Sequence, residues 1–186
     1  MTKLTILVDM DDVLVNLVEC WVEELNATHG SSVTLEDVDT WNIAEVFPHL
    51  TKEEVFSPLF DDTFWLKLSA KPDAAERLVA LIGDGHKIRV VTASFYQTLP
   101  AKMALLFREF PFLSWSDVIV TQDKQMICGD VLIDDAIHNL KGGSYAKFLF
   151  TRPYNALYNA DANGMTRVYN WADIYYKIQE MAGGVE

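Results

Sequence analysis

The stretch LTILVDMDD, residues 4–12, is an apolar run that ends abruptly in acid. An uninterrupted apolar run of this length predicts a strand over 4–8 that is covered on both faces. Asp9 and Asp11, separated by one residue, then project from the strand end into the same space. Such a pair can supply a nucleophile, an acid and cation ligands at one place. Alone, Asp-x-Asp-Asp also serves as a polar turn, so its weight depends on what lies at the other strand ends.

Apolar runs of strand length recur at 88–91, 118–120, 131–133 and 146–150, with helical patterning between several of them. That alternation predicts an α/β fold, a parallel sheet covered by helices. One helix is expected over 73–82, opened by Pro72 and Asp73, striped by Ala74, Leu78, Leu81 and Ile82, and stopped by Gly83 and Gly85. A second is expected over about 99–109, with Met103, Leu106 and Phe107 inward. Between the first strand and Pro72 the rhythm breaks: apolar positions keep helical spacing and no convincing strand intervenes. This predicts a helical cap over 16–71 inserted into a core of 1–15 and 72–186. Its interior is expected from Trp21, Leu25, Trp41, Val46, Phe47, Val55, Phe56, Phe60, Phe64 and Trp65. The tail 183–186 is expected to fray.

The 186 residues are half hydrophobic, enough for a sizeable core, and carry a formal charge of -12. That charge opposes binding to DNA or RNA, which needs clustered Lys and Arg, but a small anion can be held where a metal and one or two cations dominate locally. Cys20 and Cys128 fit neither a disulfide framework nor a zinc site and read as free thiols in a reducing compartment. With the short apolar N-terminal run stopped by Asp9 and no membrane-length run elsewhere, the chain reads as cytoplasmic and not membrane-bound.

Four polar signals fall at predicted strand ends: Asp9 with Asp11, Thr92, Lys124, and Asp134 with Asp135. The carboxyl edge of an open parallel sheet is where ligands bind. Four carboxylates meeting there would repel one another by several kcal/mol unless a cation or raised pKa values intervened. All-oxygen ligands favour Mg2+ over zinc. With Lys124 and the Thr92 hydroxyl it would orient a phosphate and leave one carboxylate for in-line attack.

Together these residues resemble the haloacid dehalogenase superfamily of phosphatases. DMDDVLV at 9–15 is similar to its first motif, Thr92 in VVTAS to its second, Lys124 to its third and LIDD at 132–135 to its fourth. The resemblance implies a Rossmann-like core, with Asp9 as nucleophile forming an aspartyl-phosphate and Asp11 as general acid and base. It also implies Mg2+ held by the Asp9 side chain, the Asp11 backbone carbonyl and Asp135, with Asp134 acting through water.

A narrower resemblance, to the 5′(3′)-deoxyribonucleotidases, runs over nearly the whole chain, through FWLKLSAKPDAAERL at 64–78, DKQMICGDVLIDD at 123–135 and RVYNWADI at 167–174. It implies hydrolysis of deoxyribonucleoside monophosphates and, in many relatives, a homodimer, although composition marks no interface. Lys102 falls near a second phosphate-binding lysine of that family, and at the second motif the N–H of Ala93 is retained. Where relatives carry an aromatic residue that packs on the base, this chain has Leu17 after Asn16, and Phe64 and Trp65 are further candidates for a base-facing wall. Asp12 stands where many relatives have Gly. A phosphatase of another small metabolite, or a nucleotide-binding module without turnover, are the alternatives.

Overall fold

The computed structural model describes residues 1–183 as a six-stranded, wholly parallel sheet flanked by helices. The strands are β1 (Thr5–Val8), β2 (Lys87–Thr92), β3 (Val118–Val120), β4 (Val131–Asp134), β5 (Ala146–Phe150) and β6 (Thr166–Val168), in the spatial order β3-β2-β1-β4-β5-β6. Ile6, Val8, Val90 and Ile133 pack into the core on one face, while Leu7, Val91, Leu132 and Leu149 form a second cluster on the other. Covering both faces is why these strands read as unbroken apolar runs. The strands keep the expected positions, but Thr92 and Asp134 are the last residues of β2 and β4 and not the first residues beyond them.

Between β1 and β2 the chain runs through α1 (Leu17–His29), α2 (Ile43–Val46), α3 (Lys52–Phe56), α4 (Asp62–Lys67) and α5 (Ala74–Gly83). Two of these starts are capped locally: Thr51 and Glu54 form a reciprocal capping box at α3, and Asp61 accepts from the Thr63 N–H at α4. Helix α1 ends where Gly30 turns left-handed at φ 68°. The outgoing and returning segments lie side by side: Val15 bridges Ala70, the Lys71 N–H donates to Leu14 O at 2.7 Å, and the Asn16 N–H to Ser69 O at 3.2 Å. The rest comprises α6 (Leu99–Glu109), α7 (Ile137–Leu140) and α8 (Trp171–Met181). Trp171 is fully buried and donates from Nε1 to Val13 O at 2.9 Å, tying α8 to the loop after β1. No helix of the described residues is long and apolar enough to cross a membrane.

Several expected core positions differ. Trp21, Leu25, Phe47, Val55, Phe64 and Trp65 are buried, but Trp41 and Phe60 are 61% and 51% exposed. They lie edge-on to His138 and against Phe95, with ring centroids 4.8 and 5.3 Å apart, so each meets a segment following a strand of the sheet, α7 for Trp41 and the loop after β2 for Phe60, instead of the insert's interior. Ile82 is exposed because it sits roughly 80° round α5 from Ala74, at the margin of the stripe. On α6, Met103 and Leu106 are buried, Phe107 is half-buried, and Lys102 is buried with them. The tail beyond Gly183 lies outside the described residues.

At the amino edge of the sheet, buried His86 accepts the Leu4 N–H through Nδ1 at 3.1 Å. Burial holds its pKa below the usual value, with Asp84 opposing and Lys3 assisting. The native state therefore favours neutral His86, whose stabilising effect is full above its ordinary pKa of about 6.5 and fades as pH falls through that value. The stability difference between wild type and His86→Gln, from urea midpoints, should shrink between pH 7.5 and pH 5.5.

Candidate active site

Sheet order places β1 between β2 and β4, so chain progression reverses at the β1–β4 junction, the position where open α/β sheets leave a crevice at their carboxyl edge. Asp9 enters that crevice directly: its N–H donates to Ile133 O of β4 at 2.9 Å. Asp134 ends β4, Asp135 follows it, and one carboxylate oxygen from each of Asp9, Asp134 and Asp135 lies within 4.8 Å of the others.

Two buried lysines make this tolerable. Lys124 Nζ sits 2.6 Å from Asp9 Oδ1 and 2.7 Å from Asp134 Oδ2. Burial works against its charge, but Asp9 and Asp134 outweigh it and raise its pKa. Lys102 Nζ lies 2.6 Å from Asp11 Oδ2 and donates to Ala93 O at 2.7 Å. Asp134 is saturated: besides Lys124 it accepts the Ala136 N–H at 2.8 Å and Asn139 Nδ2 at 3.1 Å. Burial and Asp9 push it up to about 6 against Lys124. Asp135 is raised well above the carboxylate range by burial, then by Asp134, Asp9 and Asp12. Its Oδ2 accepts the Tyr154 hydroxyl, and its backbone O accepts Asn155 Nδ2 at 2.8 Å. Asp11 is raised by burial, with Lys102 opposing and Asp9 reinforcing, and its Oδ1 is buried with no partner among the described residues.

These groups floor a cavity of about 500 Å³. Asp9, Asp11, Asp135, Lys102 and Lys124 give it a charged lining, and Leu17, Trp21, Ile43, Phe56, Leu59 and Trp65 of the insert an apolar one. Of the expected residues, Thr92 does not line it: the side chain is fully buried, with Oγ1 donating to Ala93 O at 3.3 Å. Ala93 and Ser94 take that place on the wall. Phe64 also misses the cavity, packing edge-on against Trp65 at 6.0 Å in the core. Leu17 and Trp65 do line it, with Lys102 Nζ 6.0 Å above the Trp65 ring.

A second charge cluster, missed in the sequence, adjoins the floor. Arg152 NH2 lies 3.2 Å from Asp12 Oδ1 and 2.9 Å from Glu19 Oε1, while Lys71 Nζ lies 2.6 Å from Glu19 Oε1 and 3.6 Å from Asp12 Oδ1. Burial pushes Asp12 up to about 7 despite Arg152 and Lys71. The available signal was RPYN at 152–155, just past β5 on the same carboxyl edge.

Residues 3–182 match the family described as 5′ nucleotidase, deoxy (Pyrimidine), cytosolic type C protein. The chain is 30% identical over 178 residues to the 5′(3′)-deoxyribonucleotidase of Bacillus subtilis strain 168, covering 95% of this chain and 99% of the relative. It is 27% identical over 171 residues to the 5′(3′)-deoxyribonucleotidase of Clostridium acetobutylicum, covering 92% of each. Among solved structures, a HAD family hydrolase from Deinococcus radiodurans R1 with bound phosphate and sodium superposes with a TM-score of 0.66 at 16% identity, covering 97% of this chain and 96% of that one. A putative phosphoglycolate phosphatase from Lactobacillus delbrueckii subsp. bulgaricus superposes at 0.68 with 13% identity, covering 96% and 99%. These last two establish the fold.

Removing one partner from a buried charge cluster strands the others. Arg152→Ala should therefore lower unfolding free energy by about 3 kcal/mol in urea titration, well beyond the loss from an exposed Arg.

Proposed function

The chain belongs to the 5′-nucleotidase family described as deoxy (pyrimidine), cytosolic type C, and from that premise we propose that it is a Mg2+-dependent phosphomonoesterase of deoxyribonucleoside monophosphates, working in the cytoplasm. The observation that carries this reading is the junction of Asp9 with Asp134, Asp135 and Lys124 beneath an apolar wall. The charged lining suits the phosphate and the apolar lining the nucleoside.

In this reading Asp9 attacks phosphorus. A bond forms between its carboxylate oxygen and phosphorus as the bond from phosphorus to the ester oxygen breaks, and Asp11 gives its proton to the departing nucleoside hydroxyl. Burial keeps Asp11 protonated more readily than an ordinary carboxyl, and Lys102 orients it. Asp11 then takes a proton from water, whose oxygen bonds to phosphorus while the acyl phosphate opens, releasing phosphate and restoring Asp9. Lys124 and the backbone at Ala93 face the phosphate oxygens. Segment 16–71 acts as a cap that excludes water from the acyl phosphate and bulky phosphoesters from the site.

The donor set fits Mg2+: all ligand atoms are oxygen, and Asp135 has no basic side chain paired with it among the described residues. Asp9, Asp135 and the Asp11 backbone carbonyl would hold it, with Asp134 reaching it through water. Bound there it would offset the carboxylates and polarise the phosphate.

Phosphate release from nucleoside monophosphates should exceed that from sugar phosphates and should vanish with chelator, returning on added Mg2+. Asp9→Asn should fold normally by circular dichroism yet lose on the order of 10⁴-fold or more in kcat. Wild-type turnover in Asp9→Asn would remove the nucleophile assignment.

A further inference from the structure

The turn after β5 reaches back to the acid after β4. Tyr154, in the 3-10 turn Pro153–Asn155, is half-buried on the cavity wall, and its hydroxyl donates to Asp135 Oδ2. The same turn grips the Asp135 backbone: Asn155 Nδ2 donates to Asp135 O and to Phe150 O, both at 2.8 Å. Asn155 is itself fixed, its Oδ1 accepting the Arg152 N–H at 3.2 Å and Arg167 NH1 at 3.1 Å. Both the peptide and the carboxylate of Asp135 are thus oriented by residues outside the four motifs. Among the described residues nothing donates to Asp135 Oδ1, which leaves that oxygen for the cavity.

We propose that Tyr154 is a positioning residue that restricts Asp135 to one-oxygen ligation by occupying Oδ2, and so selects Mg2+ over Ca2+ at this site. The inference rests on the Mg2+ reading of the preceding subsection. The chemistry follows from cation size. Mg2+ requires near-octahedral geometry and takes a carboxylate through one oxygen, whereas Ca2+ accepts both oxygens of a carboxylate and a larger, looser ligand set. A hydroxyl bonded to Oδ2 leaves Oδ1 for Mg2+ and competes with Ca2+ for the second oxygen. Outer-shell hydrogen bonds of this kind also fix ligand orientation, and their loss typically weakens metal affinity by 10–100-fold.

The test is calorimetric titration of full-length wild type and Tyr154→Phe with Mg2+ alone and with Ca2+ alone, urea midpoints being measured on both proteins. The variant removes one oxygen and keeps the ring, so the turn retains its packing. Mg2+ affinity should fall about tenfold, while Ca2+ affinity holds or rises, so that the Mg2+:Ca2+ affinity ratio drops by about tenfold. A general loosening of the site would weaken both ions alike and leave the ratio unchanged, and that result overturns the proposal even if the urea midpoint shifts. Wild type that binds neither ion overturns the Mg2+ reading and this inference together; wild type that binds Mg2+, with Tyr154→Phe retaining its affinity ratio, overturns this inference alone.

Discussion

Lys124 standing between Asp9 and Asp134 is the contact on which the rest of the site depends. Parallel pairing of β1 with β4 delivers two acidic strand ends to one place with little water between them, and neither carboxylate could stay ionised there unaided. One ammonium satisfies both ends and fixes their separation. The wider cluster is still short of positive charge. Asp9, Asp11, Asp12, Glu19, Asp134 and Asp135 face Lys71, Lys102, Lys124 and Arg152, six carboxylates against four cations. The shortfall falls on the Asp135 side, where no basic side chain makes an ion pair among the described residues. Burial, with that imbalance added to it, is what raises the pKa of Asp135.

Charge compensation also ties the insert to the chemistry. Asp12 is the covalent neighbour of Asp11, yet its carboxylate is held by Lys71 on the returning segment and by Arg152 after β5, and both cations share Glu19 on α1. The insert meets the sheet again at its rim through Trp41 with His138 and Phe60 with Phe95. A tilt of the insert would thus strain contacts one residue from Asp11 and open two aromatic pairs at the mouth. The insert and the turn that carries Asp11 are linked through a few side chains.

The sheet was legible because its strands are buried on both faces, which leaves a signature in composition, and because Asp9 and Asp134 each directly follow such a run. Asp9, Asp11, Lys124 and Asp135 could be placed from that pattern and their motif order. Trp41 and Phe60 were misplaced because helical spacing identifies a common face but not whether it meets the insert's own interior or a segment following a strand of the sheet. Thr92 was assigned to phosphate because it sits at a strand end, whereas the pleat turns its side chain into the core and gives the wall to Ala93. Lys102 was marked only by the family resemblance, since tertiary placement alone reveals that its ammonium is buried against Asp11. The Arg152 cluster joins Asp12 and Glu19 to the distant Lys71 and Arg152, and RPYN marks only one of its members.

Asp12 shows how one local departure is absorbed. Its φ of 55° lies in the left-handed region, where a side chain costs roughly 1–2 kcal/mol and Gly costs little. Aspartate is among the residues that visit this region most readily, and here its carboxylate accepts the Val18 N–H at 3.1 Å at the start of α1. It also serves as counter-ion to Arg152 and Lys71. Glycine would relax the backbone but leave two buried cations sharing Glu19 alone, so the three charged residues form a set whose members make sense only together. The strained turn that aims Asp11 is therefore held in this chain by charge as well as by backbone preference.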